Sequence, residues 1–505
     1  MKITKSLFVE FLQCPKLAWF HIHEKEKYNL IQEHLYGPSN WECGGQEVED
    51  CVKKLFDSVV EIQNKENISS AIDVTKELIN QNSSVLYQPR FEYKDAIMRA
   101  DFLVLHNGKY DLVEVKSKNS IRKPSKVQNL KDDILADLSY QAYLLRKSLW
   151  EQFSGKAYLY YLNKDYIKRW GLDIFALIKQ EEVSSELWGD EKIEAILQEM
   201  LEVLQKEKSD FEAIYPYNNE DYVLYFWELT PKGSIWHIPW IWNRKKSLYE
   251  LWKTYILELG NKEKQLLLSA KWEVSKPYLY VEDYQNHQRR IEKSAIQKKL
   301  SQLEYPLYFY DYETITTPIP LFDGSGPRSQ VPVQYSLHKI EKDGTITHKE
   351  ALIEWIIKDN RAIIEQLYKD LEWGKQWTFI VWFKGFENSR NDEMAELYPE
   401  YKDFFVNVNT RTFDLMEIFS EGDFFDRNFL GSSSIKKVLP VLTELTYEWM
   451  NIPNGWIATE VIFKIATGLI QGEELIRARK DLLEYCKQDT WAMVRIRQEI
   501  VKLLS

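Results

Sequence analysis

Two strands far apart in the chain break an apolar run in the same way. "DLVEVKS" at 111–117 sets Glu114 and Lys116 two positions apart, and "LYFYDYETI" at 307–315 does the same with Asp311 and Glu313. Side chains alternate across a strand, so each charged pair leaves from one face while Val115 or Tyr312 points to the other. A charge on a half-buried strand needs a cation, a partner charge or water, because burying it alone is costly. A fold for this sequence must therefore supply two such strand ends. At 505 residues the chain also exceeds the size at which one hydrophobic core stops growing, so at least two domains are predicted.

Around those strands the sequence falls into three zones. Residues 1–175 mix amphipathic helices with strands, notably "IMRADFLVLH" and "KYDLVEVKS", joined at Asn107-Gly108, a strong hairpin signal. A long helix is predicted at "ILADLSYQAYLLRKSL". Residues 176–300, rich in Glu, Lys, Leu and Trp with helical periodicity, read as a helical connector. Residues 301–505 begin with strands and end with helices, an α/β pattern.

Composition narrows the functional classes. Charged residues at 28% and hydrophobic ones at 44% describe a globular protein. Its apolar runs fall short of the roughly 18 residues a membrane helix needs. The first residues, "MKITKSLFVEFLQCPKLAWF", carry Glu and Gln inside their apolar stretch and no small-residue cleavage site, so a cytoplasmic protein without membrane association is predicted. A net charge of −11 argues against a protein that coats nucleic acid unspecifically but does not exclude an enzyme that acts on it, since a site gathering carboxylates for divalent metals adds negative charge that the metals then offset. Cys14, Cys43, Cys51 and Cys486 form no CxxC pair, so neither a disulfide framework nor a structural zinc is indicated.

The hairpin returns Asp101 beside Glu114, so two carboxylates can hold one Mg²⁺ with the Lys116 ammonium close by. The metal would polarise a scissile phosphate, and the lysine would orient the attacking water or offset charge in the transition state. "RAD" followed by "EVK" resembles the PD-(D/E)XK nuclease superfamily, in particular its RecB-like branch, with Ala100 in place of the usual Pro. That resemblance implies a restriction-endonuclease-like N-terminal domain. It also implies a substrate-contacting or site-positioning role for Gln141, and Tyr143 in "LSYQAYLL" belongs to the same motif. The stretch "GGQEVEDCVKKLF" resembles the helix that supplies a third ligand; Glu49 takes that place, with Glu47 and Asp50 as competitors. A solvent-exposed cross-strand pair is the alternative for Glu114 and Lys116.

On the second strand, Asp311 and Glu313 repel one another unless a cation sits between them. Near the C-terminus, Tyr485 and Asp489 in "LLEYCKQDTWAMV" lie one helical turn apart on one face. DxE on a first strand and YxxxD on a late helix resemble the DnaQ-like exonucleases of the tyrosine-bearing DEDD type, which implies an RNase H-like fold, four acids and two metals. The remaining acid of that family lies in an Asn-x-x-x-Asp motif; here "WFKGFEN" offers Phe383 for the Asn and Glu387 for the Asp, with Asp414 in reserve.

The whole chain resembles a bacterial fusion family that joins the two nuclease types, through "FLQCPKLAWF", "YLNKDYIKRWGLDIF", "IPLFDGSGP", "VQYSLHK" and "SSSIKKVLP". Relatives carry a mid-chain cysteine cluster that implies an iron–sulfur centre. The matching stretch, "YFWELTPKGSIWHIPWIWNRKKSL", holds no cysteine, so no cluster is predicted and Cys14 is read as a packed small residue. Trp236, Trp240 and Trp242 interleave with Arg244, Lys245 and Lys246 there, and read as core tryptophans beside a solvated basic run rather than a strand-binding platform. His338 is read as a hydrogen-bonded core histidine, and "DGSGP" at 323–327 as a loop near the second site. The function predicted is a Mg²⁺- or Mn²⁺-dependent nuclease with two active sites, acting on DNA in repair or defence. The alternatives are an RNA exonuclease and a nucleic-acid-binding scaffold with decayed sites.

Overall fold

The computed structural model places both charged strands inside sheets. It describes the chain apart from residues 37–42, 63–66, 209–229, 242–244, 246, 249–250, 252, 269–273, 354–358 and 372–376. The architecture is mixed α/β, in two compact units: Met1–Tyr217 with Thr317–Ser329, and Asn218–Thr316 with Gln330–Ser505.

In the first unit, a sheet runs in the order β1 (Val60–Glu61), β2 (Val85–Tyr87), β3 (Phe102–His106), β4 (Lys109–Lys116), β5 (Phe153–Leu162), β6 (Ile178–Glu182). The β3–β4 hairpin pairs His106 with Lys109 and Phe102 with Val113. Its tight turn needs positive φ at both central residues, and Asn107 (52°) and Gly108 (79°) supply it. β5 then runs parallel to β4, placing Glu114 opposite Leu159. Around the sheet lie α1 (Lys5–Gln13), α2 (Cys43–Lys53), α3 (Asp132–Leu149) and α4 (Asp190–Leu204). Val48 and Val52 of α2 pack with Val113 and Val115 of β4, so one face of β4 is core and the other carries Glu114 and Lys116.

Two sequence expectations change here. "IMRADFLVLH" is not one strand: Ala96–Arg99 pairs with Arg90–Tyr93 in a separate small sheet, and the chain breaks at Asp101 before β3 begins. The 176–300 zone is not a unit of its own either. "IKQEE" is β6, an edge strand with a single apolar anchor that helical periodicity masks, whereas residues from 218 on belong to the second unit. There Ile235, Trp236, Ile238, Tyr280, Val281 and Phe425 share one core cluster.

The second unit's sheet runs β9 (Ile346–Leu352), β8 (Gln330–Ile340), β7 (Leu307–Thr316), β10 (Thr378–Val381), β11 (Thr412–Asp414). β7 is central, antiparallel to β8 and parallel to β10, and β10 is parallel to β11. Helices α5 (Lys384–Leu397), α6 (Ile435–Leu442), α7 (Gly455–Ala466) and α8 (Gly472–Leu504) complete it. The β7–β8 register shifts between Glu313 and Thr314, the kind of bulge that re-aims side chains beside a site.

Candidate active sites

The central strand β7, helix α5 and the final helix α8 bring Asp311, Glu313, Glu387 and Asp489 into one cluster. Oxygens of Asp311 and Glu313 and the Cys486 sulfur lie within 4.8 Å of one another. Glu387 is only 2% exposed, and its Oε2 has no hydrogen-bond partner. Tyr447 donates to Asp489 Oδ1 at 2.6 Å, and Tyr485 lies one turn before Asp489 on α8.

So many buried acids in one place resist ionisation together. Burial, then the charge of Asp489, pushes Asp311 well above the usual carboxylate range. Burial and Asp311 do the same to Glu313 and Glu387. Asp489 is raised to about 6, chiefly by burial, with Tyr447 and Lys436 opposing the rise. Lys436 on α6 is the cation these acids face; burial lowers its proton affinity, and Asp489, Glu313 and Asp311 partly restore it. Its ammonium lies 5.4 Å and 5.3 Å from the ring centroids of Tyr447 and Tyr485. Burial also drives both phenols well above the ordinary tyrosine range, so they remain O–H donors at neutral pH. Without a cation these acids lie together by holding on to protons, and the orphaned Glu387 oxygen lacks a partner. This donor set fits a divalent cation.

The first site is built differently. Asp101 Oδ2 accepts the Val115 N–H at 2.8 Å, which ties the break before β3 to the end of β4. Glu114, 1% exposed, already has both oxygens engaged: Oε1 by Lys116 (2.7 Å) and Lys5 (3.0 Å), Oε2 by Gln141 Nε2 (2.8 Å). Lys116 also donates to Asp137 at 2.5 Å, and Gln141 to Asp137 at 2.8 Å. Burial disfavours the Lys116 and Lys5 charges, but Asp137, Glu114 and Asp101 outweigh it and hold both ammoniums above the ordinary lysine range. Burial, offset by Lys5, raises Asp101, and Glu49 raises it further. Glu49 itself accepts the Tyr87 hydroxyl at 2.6 Å. Of the three acids weighed on α2, Asp50 pairs with Lys53 at 3.0 Å, while Glu47 is raised by burial and Asp50. Two lysines thus interleave with Asp101, Glu114 and Asp137. A cation fits this donor set only where it takes over carboxylate contacts that Lys5 now makes.

Several residues near the sites have other duties. Asp414 is outside the acid cluster: it accepts the N–H groups of Phe383, Lys384 and Met416 and caps α5. Tyr143 points away from Gln141, with its hydroxyl 3.3 Å from Glu194. His338 is buried and bonded to Thr490, its proton affinity lowered to about 3 by burial. Cys14 is buried at the start of the helix Pro15–His23. In the tryptophan stretch Trp236 is core, but Trp240 is 41% exposed with its indole donating to Ser420. Lys245 is buried rather than solvated, donating to the Trp236 carbonyl at 2.6 Å. Trp242, Arg244 and Lys246 lie outside the described residues. The "DGSGP" loop belongs to the first unit, where Gly324 donates to the Lys168 carbonyl and Arg328 to Ser117.

Lys5, Asp137, Lys436, Tyr447 and Cys486 are the site residues that sequence reading passed over. Asp137 had a local signal, since it lies one turn before Gln141 on the same helix face. Cys486 sits next to Tyr485 in the motif itself. Lys5, Lys436 and Tyr447 arrive through tertiary packing from segments without a strand or helix pattern pointing at a site.

The fold and its buried acids thus define a mixed α/β protein with one acid cluster that retains protons and one that is ion-paired. Among known sequences, residues 308–434, which contain Asp311, Glu313 and Glu387, match a family described as a domain of unknown function, DUF2779. "Uncharacterized protein MG366 homolog" of Mycoplasma pneumoniae is 29% identical over 209 residues, 37% of this chain and 31% of that protein. "Uncharacterized protein MG366" of Mycoplasma genitalium is 26% identical over 248 residues, 45% of this chain and 34% of that protein. "Uncharacterized protein UU173" of Ureaplasma parvum is 28% identical over 247 residues, 44% of this chain and 35% of that protein. Each alignment spans about a third of the relative's length. No helix among the described residues is long and apolar enough to cross a membrane.

Proposed function

We propose that this chain is a metal-dependent nuclease with two separate active sites. In this reading the first unit is a RecB-like PD-(D/E)XK domain and the second a DnaQ-like exonuclease of RNase H-like fold, acting on DNA in the cytoplasm. The observation that carries it is that Asp311 and Glu313, whose oxygens lie within 4.8 Å of one another, are buried where Glu387 and Asp489, from two other elements up to 178 residues away, act on their charge. A structural protein gains nothing from assembling acids that repel.

Mg²⁺ or Mn²⁺, held by those four acids, would supply the positive charge that phosphodiester hydrolysis needs. The chain's own groups do the rest. Tyr447 and Tyr485 keep their protons, and Tyr447 orients Asp489 through Oδ1. Lys436 offers an ammonium to a phosphate entering beside the acids, in place of the repulsion it would otherwise meet. At the first site Lys116 is held between Glu114 and Asp137, so its position is set before substrate arrives, and Gln141 fixes the Glu114 rotamer.

The direct test is cleavage of end-labelled single- and double-stranded DNA and RNA, with and without Mg²⁺ or Mn²⁺. Wild type, Glu114→Gln, Asp489→Asn and the double variant are compared. The prediction is metal-dependent trimming from a 3′ end that Asp489→Asn lowers by orders of magnitude, and a separate activity that Glu114→Gln lowers. Absence of metal-dependent cleavage of all four polymers, or undiminished cleavage by the double variant, would sink the proposal. A specific observation favours a second reading for the first site alone: both oxygens of Glu114 are already engaged, Oε1 by two ammoniums and Oε2 by the Gln141 amide, as in a rigid binding surface. Unchanged products from Glu114→Gln would select it.

A further inference from the structure

Cys486 occupies a place that the proposed chemistry does not use. Its side chain is fully buried, and its sulfur lies within 4.8 Å of the ligand oxygens of Asp311 and Glu313. The thiol hydrogen-bonds the main-chain carbonyl of Asp311 at 3.8 Å. The Asp311 and Glu313 carboxylates thus stand beside the thiol, and Asp489 follows three residues on along α8. Beside them Glu387 Oε2 is buried without a partner. A thiol among carboxylates is poorly placed as a reactive nucleophile, since every neighbouring charge opposes the thiolate. It is well placed as a ligand, because a cation reverses that field and deprotonates a coordinating thiol outright.

Resting on the reading of this cluster as a metal site, we propose that Cys486 is an additional ligand that makes the site select thiophilic divalent cations, Zn²⁺, Co²⁺ or Cd²⁺, over Mg²⁺. Hard Mg²⁺ requires oxygen donors in a nearly octahedral shell and gains nothing from sulfur. Softer ions gain a bond of a different kind. On binding, the Cys486 Sγ–H bond breaks, the proton passes to buffer, and the electron pair left on sulfur forms the bond to the cation. No oxidant or reductant enters. The consequence for function is that a soft cation and Mg²⁺ compete for the same carboxylates, and the thiol sets which wins.

The test uses the full chain, anaerobically, titrated with Cd²⁺ and followed by thiolate-to-metal charge-transfer absorption, with Mn²⁺ and Mg²⁺ binding measured by calorimetry. The expected result is a charge-transfer band that saturates with the site, is absent in Cys486→Ser, and requires more Cd²⁺ in Asp311→Asn. Cys486→Ser should weaken Cd²⁺ and Zn²⁺ by about tenfold or more and leave Mg²⁺ within about twofold. X-ray absorption of the Cd²⁺-loaded wild type, which needs no variant, should show sulfur in the metal's shell alongside oxygen. An oxygen-only shell, or a band undiminished in Cys486→Ser, overturns the inference. Should Mn²⁺ still bind in that case, the metal site survives and only the role of the thiol falls. If no divalent cation binds the wild type at all, the reading of the cluster fails first and this inference with it.

Discussion

Phe383 shows how much a single position can reveal. Its φ is 79°, in the left-handed region that Asn tolerates and a large side chain does not. The ring is 54% exposed, so little packing compensates. Phe383→Asn should therefore stabilise the protein by about 1 kcal/mol, read as a higher denaturant midpoint at unchanged slope. A loss of stability would mean that the ring contributes contacts worth more than the strain. At the first site Lys116→Ala leaves Glu114 and Asp137 short of a cation in a buried setting. With Lys5 still present, the cost should be about 1–3 kcal/mol, and smaller when Glu114→Gln is already in place. Equal costs in both backgrounds would show that the Lys116–Glu114 bond is not what holds this network.

The elements most legible in the sequence were those with a local reason to form. Alternation plus Asn107-Gly108 announced the β3–β4 hairpin, and the i, i+4 spacing of Tyr485 and Asp489 placed both on one face of α8. What was not legible came from long-range packing. Lys436 reaches the acids because α6 is docked beside α8, and Lys5 reaches Glu114 from the other end of the first unit's sequence. Edge strand β6 hid behind an acidic, helix-like composition. The acid cluster spans β7, α5 and α8, so its protonation is an element-level property. Asp489 binds its proton more tightly folded (about 6) than its ordinary value of 3.8, and Asp311, Glu313 and Glu387 shift the same way. Their stabilisation is therefore full below the unfolded value and is lost as pH rises through the folded one. Without metal, stability should rise on the order of 1 kcal/mol from about pH 7.5 to about pH 5.5, and less in Asp489→Asn. A melting temperature that falls over that interval more in wild type than in Asp489→Asn would contradict this.

For the whole molecule, the contrast between its two units matters most. Each unit draws its acids from its own residues, but the first matches them internally with Lys5 and Lys116, whereas in the second Lys436 is the cation, among the described residues, that faces Asp311, Glu313 and Asp489. Divalent cations should therefore act chiefly on the second unit, and the two sites should be separable by mutation. Calorimetric titration of the full chain with Mn²⁺ tests this most directly, in wild type, Asp489→Asn and Glu114→Gln. Binding should weaken by about tenfold or more in Asp489→Asn and stay nearly unchanged in Glu114→Gln. Wild-type protein that binds no Mn²⁺, or binding that survives Asp489→Asn but is lost in Glu114→Gln, would contradict it.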